Sequence, residues 1–220
     1  MDIRKNLLRI KAELPDHVTL VAVTKTKSVE LIKQAYDAGH RQFGENKVQE
    51  MVEKQARLPD DVEWHMIGHV QRNKVKYMAP FVNLIHGVDS LKLLKEIDKQ
   101  AQKHQRKIAC LLQIKIASEE SKFGISKADA HALLISDELA TLKHIEIKGL
   151  MGMATFTDDE NIIREEFKFL ASCVEEFRSL ERSNVTFDVL SMGMSGDYNI
   201  AIAHGSTMVR IGSSIFGSRS

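Results

Sequence analysis

Short apolar segments alternate with segments of helical periodicity along the whole chain, and this alternation limits the fold more than any other feature. The apolar segments span residues 18–24, 41–44, 64–68, 83–88, 107–116, 145–154, 186–191 and 207–212. Helical patterns begin between them, near Ser28, Lys47, Gln71, Ser90, Ser126, Asp158 and Gly196, and the serines among these are typical N-cap residues. A further helix is predicted ahead of the first strand and ends at Pro15.

Eight strands separated by helices are the pattern of a (β/α)8 barrel, and an open doubly wound sheet is the alternative. The chain has 220 residues, enough for one large hydrophobic core. No linker-like composition or low-complexity tract interrupts the pattern. We therefore predict an α/β fold, a single (β/α)8 TIM barrel with an extra N-terminal helix, and one domain over residues 1–220.

The charge and composition exclude several classes of function. The formal net charge is +1, and basic residues are interleaved with acidic ones, so nucleic acid and anionic lipid are not expected partners. The two cysteines, Cys110 and Cys173, have no metal-binding or redox spacing, which is typical of a reducing compartment. The start of the sequence reads as an amphipathic helix, and no segment approaches membrane-spanning length. We expect a cytoplasmic protein.

Two cationic residues interrupt apolar strands at opposite ends of the sequence. Lys25 follows the apolar run 18–24, and Arg210 lies within the run 207–212. A lysine at the mouth of a buried strand loses solvation, which favours the neutral amine that attacks carbonyl groups. The alternative is that each side chain extends its charged end into water. Since strand ends of a barrel meet at one face, we expect Lys25 and Arg210 to share a site.

Small and hydroxyl-bearing residues follow the last two predicted strands. The segment Ser191–Gly196 leads into a short helix, and Gly212 and Ser213 follow the eighth strand. Barrels often bind phosphate between the loops after their seventh and eighth strands. A phosphate site beside a reactive lysine leaves two ligand classes, a sugar phosphate, as in Schiff-base aldolases, or pyridoxal phosphate. Strand alternation places Arg210 and Met208 on one face, so Arg210 could donate to a pyridine nitrogen.

Five motifs in order resemble those of the YggS-type pyridoxal phosphate homeostasis proteins. They are Val21–Lys25, Phe43–Asn46, Trp64–Lys74, Leu190–Ser195 and Arg210–Ser213. The resemblance implies a fold-type III barrel like the N-terminal domain of alanine racemase, with pyridoxal 5'-phosphate as cofactor. This sequence departs from the family pattern at Lys47, where a larger and often aromatic residue is expected.

The resemblance also implies roles for individual residues. Lys25 would carry the cofactor as a Schiff base, and Arg210 would face the pyridine nitrogen. The phosphate would be held by Ser191, Gly212 and Ser213, while Asn46 and His69 would line the mouth. Lys27 and Lys122 are rival amines, but neither follows an apolar strand directly.

The absence of a second domain bears on catalysis. The resemblance implies a protein that buffers or delivers pyridoxal phosphate, with apoenzymes that require this cofactor as partners. A racemase of the related fold draws a second acid or base from an added domain of a partner subunit, and we can place none of Tyr36, Tyr77 and Tyr198 opposite Lys25. We therefore expect a monomer without turnover. An amino-acid racemase or decarboxylase dependent on pyridoxal phosphate is the alternative.

Overall fold

The computed structural model describes residues 2–119 and 123–217, and the strands in this part of the chain form a closed barrel. The strands are β1 Thr19–Val23, β2 Gln42–Glu45, β3 Glu63–Met66, β4 Val82–Val88, β5 Ile108–Gln113, β6 Ile145–Met151, β7 Val185–Ser191 and β8 Met208–Ile211. Each strand pairs in parallel with its sequence neighbour, and β8 pairs with β1 to close the barrel. The prediction of a (β/α)8 barrel is confirmed.

Helices connect the strands around the outside of the barrel. They are α1 Ile3–Glu13, α2 Val29–Asp37, α3 Val48–Gln55, α4 Val75–Met78, α5 Leu91–Lys103, α6 Lys127–Ile135, α7 Asp137–Thr141, α8 Glu160–Phe177, α9 Tyr198–Ala203 and α10 Ser213–Phe216. Two of the predicted serine caps form their bonds, because Ser90 Oγ accepts from the Leu93 N–H and Ser126 Oγ from the Asp129 N–H. Ser28 stands at the N-cap of α2 without such a bond.

Alternation along each strand separates an inner and an outer apolar layer. The inner layer contains Val21, Val23, Ile67, Leu84, Leu111, Met151 and Met208, which contact one another inside the barrel. On β8, Val209 and Ile211 belong instead to the outer layer, which packs against the helices. Met208 and Arg210 therefore point into the barrel, as the alternation predicts.

Two predicted strands extend too far at their carboxyl ends. The apolar run 107–116 gives a strand that ends at Gln113, and the run 145–154 gives one that ends at Met151. The Ile114 N–H still donates to Met151 O of β6, but the next N–H, that of Lys115, donates to Ile125 O outside the barrel strands. Lys115 is consequently exposed. Lys122, one of the rival amines, lies outside the described residues.

The described residues also bear on the expected class of protein. Within residues 2–119 and 123–217, no helix is long and apolar enough to cross a membrane. The same residues include no cluster of His, Cys, Asp or Glu that could hold a metal ion. Cys110 and Cys173 are buried free thiols, and burial raises the pKa of both, that of Cys173 to about 11. They therefore remain protonated and pack as small apolar groups.

Candidate functional site

The carboxyl ends of the strands open onto a cavity of about 670 Å³. Cavities of about 300–1,000 Å³ are the usual size for small-molecule and cofactor sites. Of the residues that the sequence predicts for the site, six line this cavity: Lys25, Asn46, His69, Arg210, Gly212 and Ser213. Residues 185 places apart in the sequence, Lys25 and Arg210, thus share one wall, because β8 pairs with β1.

Lys25 lies in a tight turn directly after β1. The Lys27 N–H donates to the carbonyl of Thr24, 2.9 Å away, so the chain reverses around Lys25 and Thr26. Thr26 has a φ of 64°, the left-handed region that residues other than glycine seldom adopt. Its N–H donates to Glu50 Oε1 at 2.6 Å, which holds the turn in this conformation. The strained turn presents Lys25, half-buried, to the cavity.

A buried lysine on α3 supports the same turn from behind. Lys54 Nζ donates to the Thr24 carbonyl at 2.7 Å and also contacts Glu45 Oε1 at 2.6 Å and Glu50 Oε1 at 2.7 Å. The Lys54 side chain is 7% exposed and that of Glu45 is fully buried. Because both charges are removed from water, the pair depends on these close contacts. The network ties the turn that carries Lys25 to β2 and α3.

Glu45 is the one partner in this network with an unsatisfied oxygen among the described residues. Its Oε1 accepts from Thr24 Oγ1 and Lys54 Nζ, whereas Oε2 has no hydrogen-bond partner. Burial raises the pKa of this carboxyl, and the contacts with Lys54 and Thr24 oppose that rise. The network was not predicted from the sequence.

Arg210 is buried at the floor of the cavity. Its Nη1 donates to Ser191 Oγ at 2.6 Å, and its Nη2 donates to the Gly152 carbonyl at 2.9 Å. Burial lowers the pKa of the guanidinium to about 10, and the charge of Asp197 opposes this shift. Arg210 therefore stays protonated near neutral pH, and it can only donate hydrogen bonds. These two bonds fix both terminal nitrogens of a guanidinium that lines the cavity.

Ser191 does not lie on the cavity wall. Its side chain is fully buried behind Arg210 as the last residue of β7, and its Oγ contacts Arg210 and His86. The serine that lines the cavity is Ser195, whose Oγ accepts from the Gly212 N–H at 3.3 Å. Ser191 is therefore not among the residues that line the cavity, because alternation on β7 turns its hydroxyl into the barrel interior, and its contact with a phosphate stays an untested prediction. In this structure its hydroxyl supports Arg210.

Asn46 and His69 come together through a close contact of β2 and β3. A Cβ at Gly68 would lie 2.5 Å from the carbonyl oxygen of Asn46, so only glycine allows this approach. His69 Nδ1 is 3.2 Å from Asp89 Oδ2, and its ring stacks on Phe123 with centroids 4.1 Å apart. Both predicted residues thus line the mouth. Lys47 is exposed at the start of α3 and is not among the residues lining the cavity.

Among the residues of the cavity wall that were not predicted as site residues are Gln113, Phe123 and Ser195. Gln113 ends β5, and its Nε2 donates to the Phe123 carbonyl at 2.9 Å, which fixes the backbone near the mouth. The strand-end rule would have identified Gln113 had the end of β5 been placed correctly. Phe123 and Ser195 lie in loops, whose course the periodicity of the sequence does not determine.

The sequence matches the family described as alanine racemase, N-terminal domain, over residues 1–220. A pyridoxal phosphate homeostasis protein of Vibrio alginolyticus is 39% identical over 210 residues, which cover 93% of this chain and 88% of that protein. The protein of the same name from Escherichia coli K12 is 36% identical over 232 residues, covering 99% and 97%. The chain belongs to the pyridoxal phosphate homeostasis protein family.

Solved structures of similar proteins agree with this family. PipY of Synechococcus elongatus PCC7942, without PLP, matches with a TM-score of 0.91 at 35% identity, covering 98% of this chain and all of that one. The structure of PipY with PLP bound gives a TM-score of 0.89 at 34% identity. An alanine racemase of Clostridium difficile 630 matches with a TM-score of 0.79 at 16% identity over 57% of its own length, and therefore shares the fold.

In this member of the pyridoxal phosphate homeostasis family, the resemblance deduced from five sequence motifs is confirmed. Residues from four of the motifs, Lys25, Asn46, His69, Arg210 and Gly212, line one cavity. The roles assigned to these side chains remain predictions.

Proposed function

We propose that this protein binds pyridoxal 5'-phosphate as a Schiff base on Lys25 and takes part in homeostasis of the cofactor by storing or delivering it. The observation that carries this proposal is the shared cavity of Lys25 and Arg210. One side chain supplies an amine, and the other a fixed donor that can pair with an unprotonated pyridine nitrogen. The names of the relatives and the structure of PipY with PLP bound support the same ligand.

The residues on the cavity wall fit this cofactor. Its volume of about 670 Å³ suits a small aromatic phosphate. Val23, Ile67 and Met153 supply apolar surface for a ring in the cavity that Lys25 and Arg210 also line. When bound, pyridoxal phosphate supplies an aldehyde that reacts with amines and a ring that withdraws electrons. The protein's contribution is to hold this group in a defined orientation.

The phosphate group is assigned to the corner formed by Ser195, Gly212 and Ser213. The Gly212 N–H and the Ser195 hydroxyl face each other there, 3.3 Å apart. A Cβ at Gly212 would lie 3.1 Å from the Val23 carbonyl, which shows how closely β8 approaches β1 at this point. We propose that Ser195, rather than Ser191, donates its hydroxyl to the phosphate, because Ser195 lines the cavity.

We further propose that the protein performs no turnover. None of the tyrosines, which would be candidates for a second acid or base, lines the cavity. The hydroxyl of Tyr36 donates to Asp61 and that of Tyr198 to Glu13. Tyr77 is exposed beside Lys74 and Lys76.

An amino-acid racemase or decarboxylase is the second candidate function. The observation that favours it is the position of His69, which lines the cavity and lies 3.2 Å from Asp89. A carboxylate in that position can orient an imidazole for proton transfer.

The proposal extends to partner proteins, oligomeric state and cellular compartment. Apoenzymes that need pyridoxal phosphate are the expected recipients, and we propose a monomer acting in the cytoplasm. The buried free thiols Cys110 and Cys173 support a reducing compartment.

Equilibrium dialysis with pyridoxal phosphate tests the binding proposal. We expect the wild type and Lys47→Ala to bind one equivalent, because Lys47 does not line the cavity, and Lys25→Ala to bind far more weakly. Equal binding by all three proteins would remove Lys25 from the site. Incubation of the loaded protein with amino acids in deuterated water then tests turnover. Uptake of deuterium at the α-carbon would overturn the proposal of a carrier in favour of the racemase.

A further inference from the structure

A chain of buried polar side chains runs from the floor of the cavity into the barrel interior. Arg210 Nη1 lies 2.6 Å from Ser191 Oγ, which lies 3.0 Å from His86 Nδ1. His86 Nε2 in turn lies 3.0 Å from His65 Nδ1. The side chains of Ser191 and His86 are fully buried, and His65 is 5% exposed. The inner apolar layer surrounds this chain, and such a position is unfavourable for polar groups that lack partners.

The arginine sets the direction of every hydrogen bond in the chain. Arg210 can only donate, so Ser191 Oγ must accept from it. Among the described residues, the other polar contact of Ser191 Oγ is His86 Nδ1, and the hydroxyl hydrogen is therefore best used there. His86 must then carry its own hydrogen on Nε2 and donate it to His65 Nδ1. His65 is consequently also the tautomer protonated on Nε2.

Both histidines must be neutral for this arrangement to persist. A protonated imidazole has two donors, so one of the contacts would set two donors against each other. Burial opposes such protonation, since it lowers the pKa of His65 to about 3 and, together with the His65 and Arg210 charges, that of His86 well below its usual value. The chain is therefore held in one hydrogen-bond direction by the permanent charge at its end.

We propose that Ser191, His86 and His65 form a relay that positions Arg210 for the ring nitrogen of the ligand. The relay rests on the proposed function, since Arg210 would otherwise have no ligand to meet. Ser191 and the Gly152 carbonyl hold the two terminal nitrogens of the guanidinium, and Arg210 lines the cavity. Ser191, His86 and His65 act through Arg210 and do not touch the ligand themselves.

The chain offers a matched control for Ser191. Ser206 is also fully buried and precedes β8, and its single hydroxyl hydrogen lies within reach of the Leu190, Met192 and Met208 carbonyls, the nearest being Met192 O at 2.8 Å. Replacing either serine by alanine removes one buried hydroxyl of the same size. Ser206 does not line the cavity, and Arg210 is not among the partners of its hydroxyl. A general loss of stability would therefore affect both variants, whereas a loss of Arg210 positioning would affect one.

Two readouts on the full-length wild type, Ser191→Ala and Ser206→Ala decide the proposal. The first is the dissociation constant for pyridoxal phosphate, together with the chemical shift of its ¹⁵N-labelled ring nitrogen. We expect Ser191→Ala to weaken binding about tenfold, the loss expected for one bond to a charged group, and to move the ring-nitrogen signal. Ser206→Ala should leave both values at the wild-type level. Equal effects of the two substitutions, or no effect of Ser191→Ala, would overturn the relay.

The second readout needs no ligand. Nitrogen NMR of histidine-labelled protein should show His65 and His86 protonated on Nε2 in the wild type, and a changed His86 signal in Ser191→Ala. Protonation on Nδ1 of either ring would overturn the relay. A wild type with the expected tautomers that takes up no pyridoxal phosphate would overturn the proposed function and its ligand. If Ser191→Ala does not fold, His86→Leu removes the acceptor of the Ser191 hydroxyl and is judged by the same ring-nitrogen shift.

Discussion

Lys54 Nζ lies 2.7 Å from the backbone carbonyl of Thr24, the residue immediately before Lys25. A buried cation on α3 thus supports the turn that presents the amine of the site. The same ammonium group neutralises Glu45 and Glu50, and Glu50 holds the strained backbone of Thr26. Stability and the position of Lys25 are therefore linked through one side chain.

The buried pair gives a prediction for Lys54→Met. The substitution leaves the Glu45 carboxylate buried without its cation, so we expect the free energy of unfolding to fall by about 3–5 kcal/mol. Chemical denaturation provides the measurement. Lys95→Met is the control, because the Lys95–Glu138 contact has the same length of 2.6 Å but is exposed, and exposed pairs contribute less than about 1 kcal/mol. Similar losses in the two variants would contradict the role of burial.

Gly193 and Gly205 distinguish two destabilising effects of adding a side chain, the strain of a left-handed backbone and a steric clash. Both have positive φ, 95° and 90°, but a Cβ at Gly193 would lie 2.7 Å from Ala201 Cβ, whereas the space at Gly205 is open. We expect Gly205→Ala to lower the free energy of unfolding by about 1–2 kcal/mol, the cost of the left-handed backbone. Gly193→Ala should lower the free energy of unfolding by more than Gly205→Ala does, and it should also weaken ligand binding, because the loop that carries Ser195 shifts. An equal loss of stability in the two variants would show that the structure accommodates the close contact with Ala201 without further destabilisation.

The buried histidines predict a loss of stability in mild acid. Burial lowers the pKa of His40 to about 4 and that of His65 to about 3, against about 6.5 in the unfolded chain. Below pH 6.5 the unfolded state gains protons that the folded state does not take up. The stabilising effect of the two neutral histidines is therefore complete above pH 6.5 and declines as the pH falls toward 4 and then 3.

The size of this effect is up to about 1.4 kcal/mol per pH unit for each histidine. Urea unfolding at pH 7.5 and pH 5 measures it, and His40→Gln should reduce the difference between the two values. His40 lies outside the barrel interior, beside Phe43, so this variant leaves the cavity intact. A free energy of unfolding that is the same at pH 7.5 and pH 5 would show that the folded and unfolded states take up the same number of protons. The histidines would then be protonated in the folded protein at pH 5.

Ser195→Ala tests the assigned phosphate corner. Loss of the hydroxyl should weaken binding of pyridoxal phosphate roughly 10- to 150-fold, because a hydrogen bond to a charged group contributes roughly 1.5–3 kcal/mol. Pyridoxal without phosphate is the control ligand, and its affinity should change little. Fluorescence titration with both ligands gives the comparison. An equal loss for both would place Ser195 near the ring instead of the phosphate.

The fold was predictable because its signals are local. Each strand is a short apolar run, and alternation alone placed Arg210 inside the barrel beside Met208. The closure of β8 on β1 then brought Lys25 and Arg210 to one cavity. These inferences needed no information about side-chain partners.

The errors arise where a contact depends on loop course or on register between strands. Ser195 was not named as a site residue, because the loop that carries it turns at Gly193 with a φ that the sequence does not specify. The Lys54–Glu45 pair and the His65–His86 pair join different elements. Polar contacts of this kind do not recur at a regular spacing in the sequence, so periodicity does not predict them.

The central claim is that Lys25 is the amine that holds pyridoxal phosphate. Borohydride reduction of the loaded protein, followed by peptide mass analysis, tests it most directly, because reduction makes the bond to the lysine permanent. Lys27 is the internal comparison, since it lines the same cavity two residues away. We predict a pyridoxyl group on Lys25 that is absent from Lys25→Ala and retained in Lys27→Ala. A label on Lys27 in the wild type, or no label on either residue, would contradict the account.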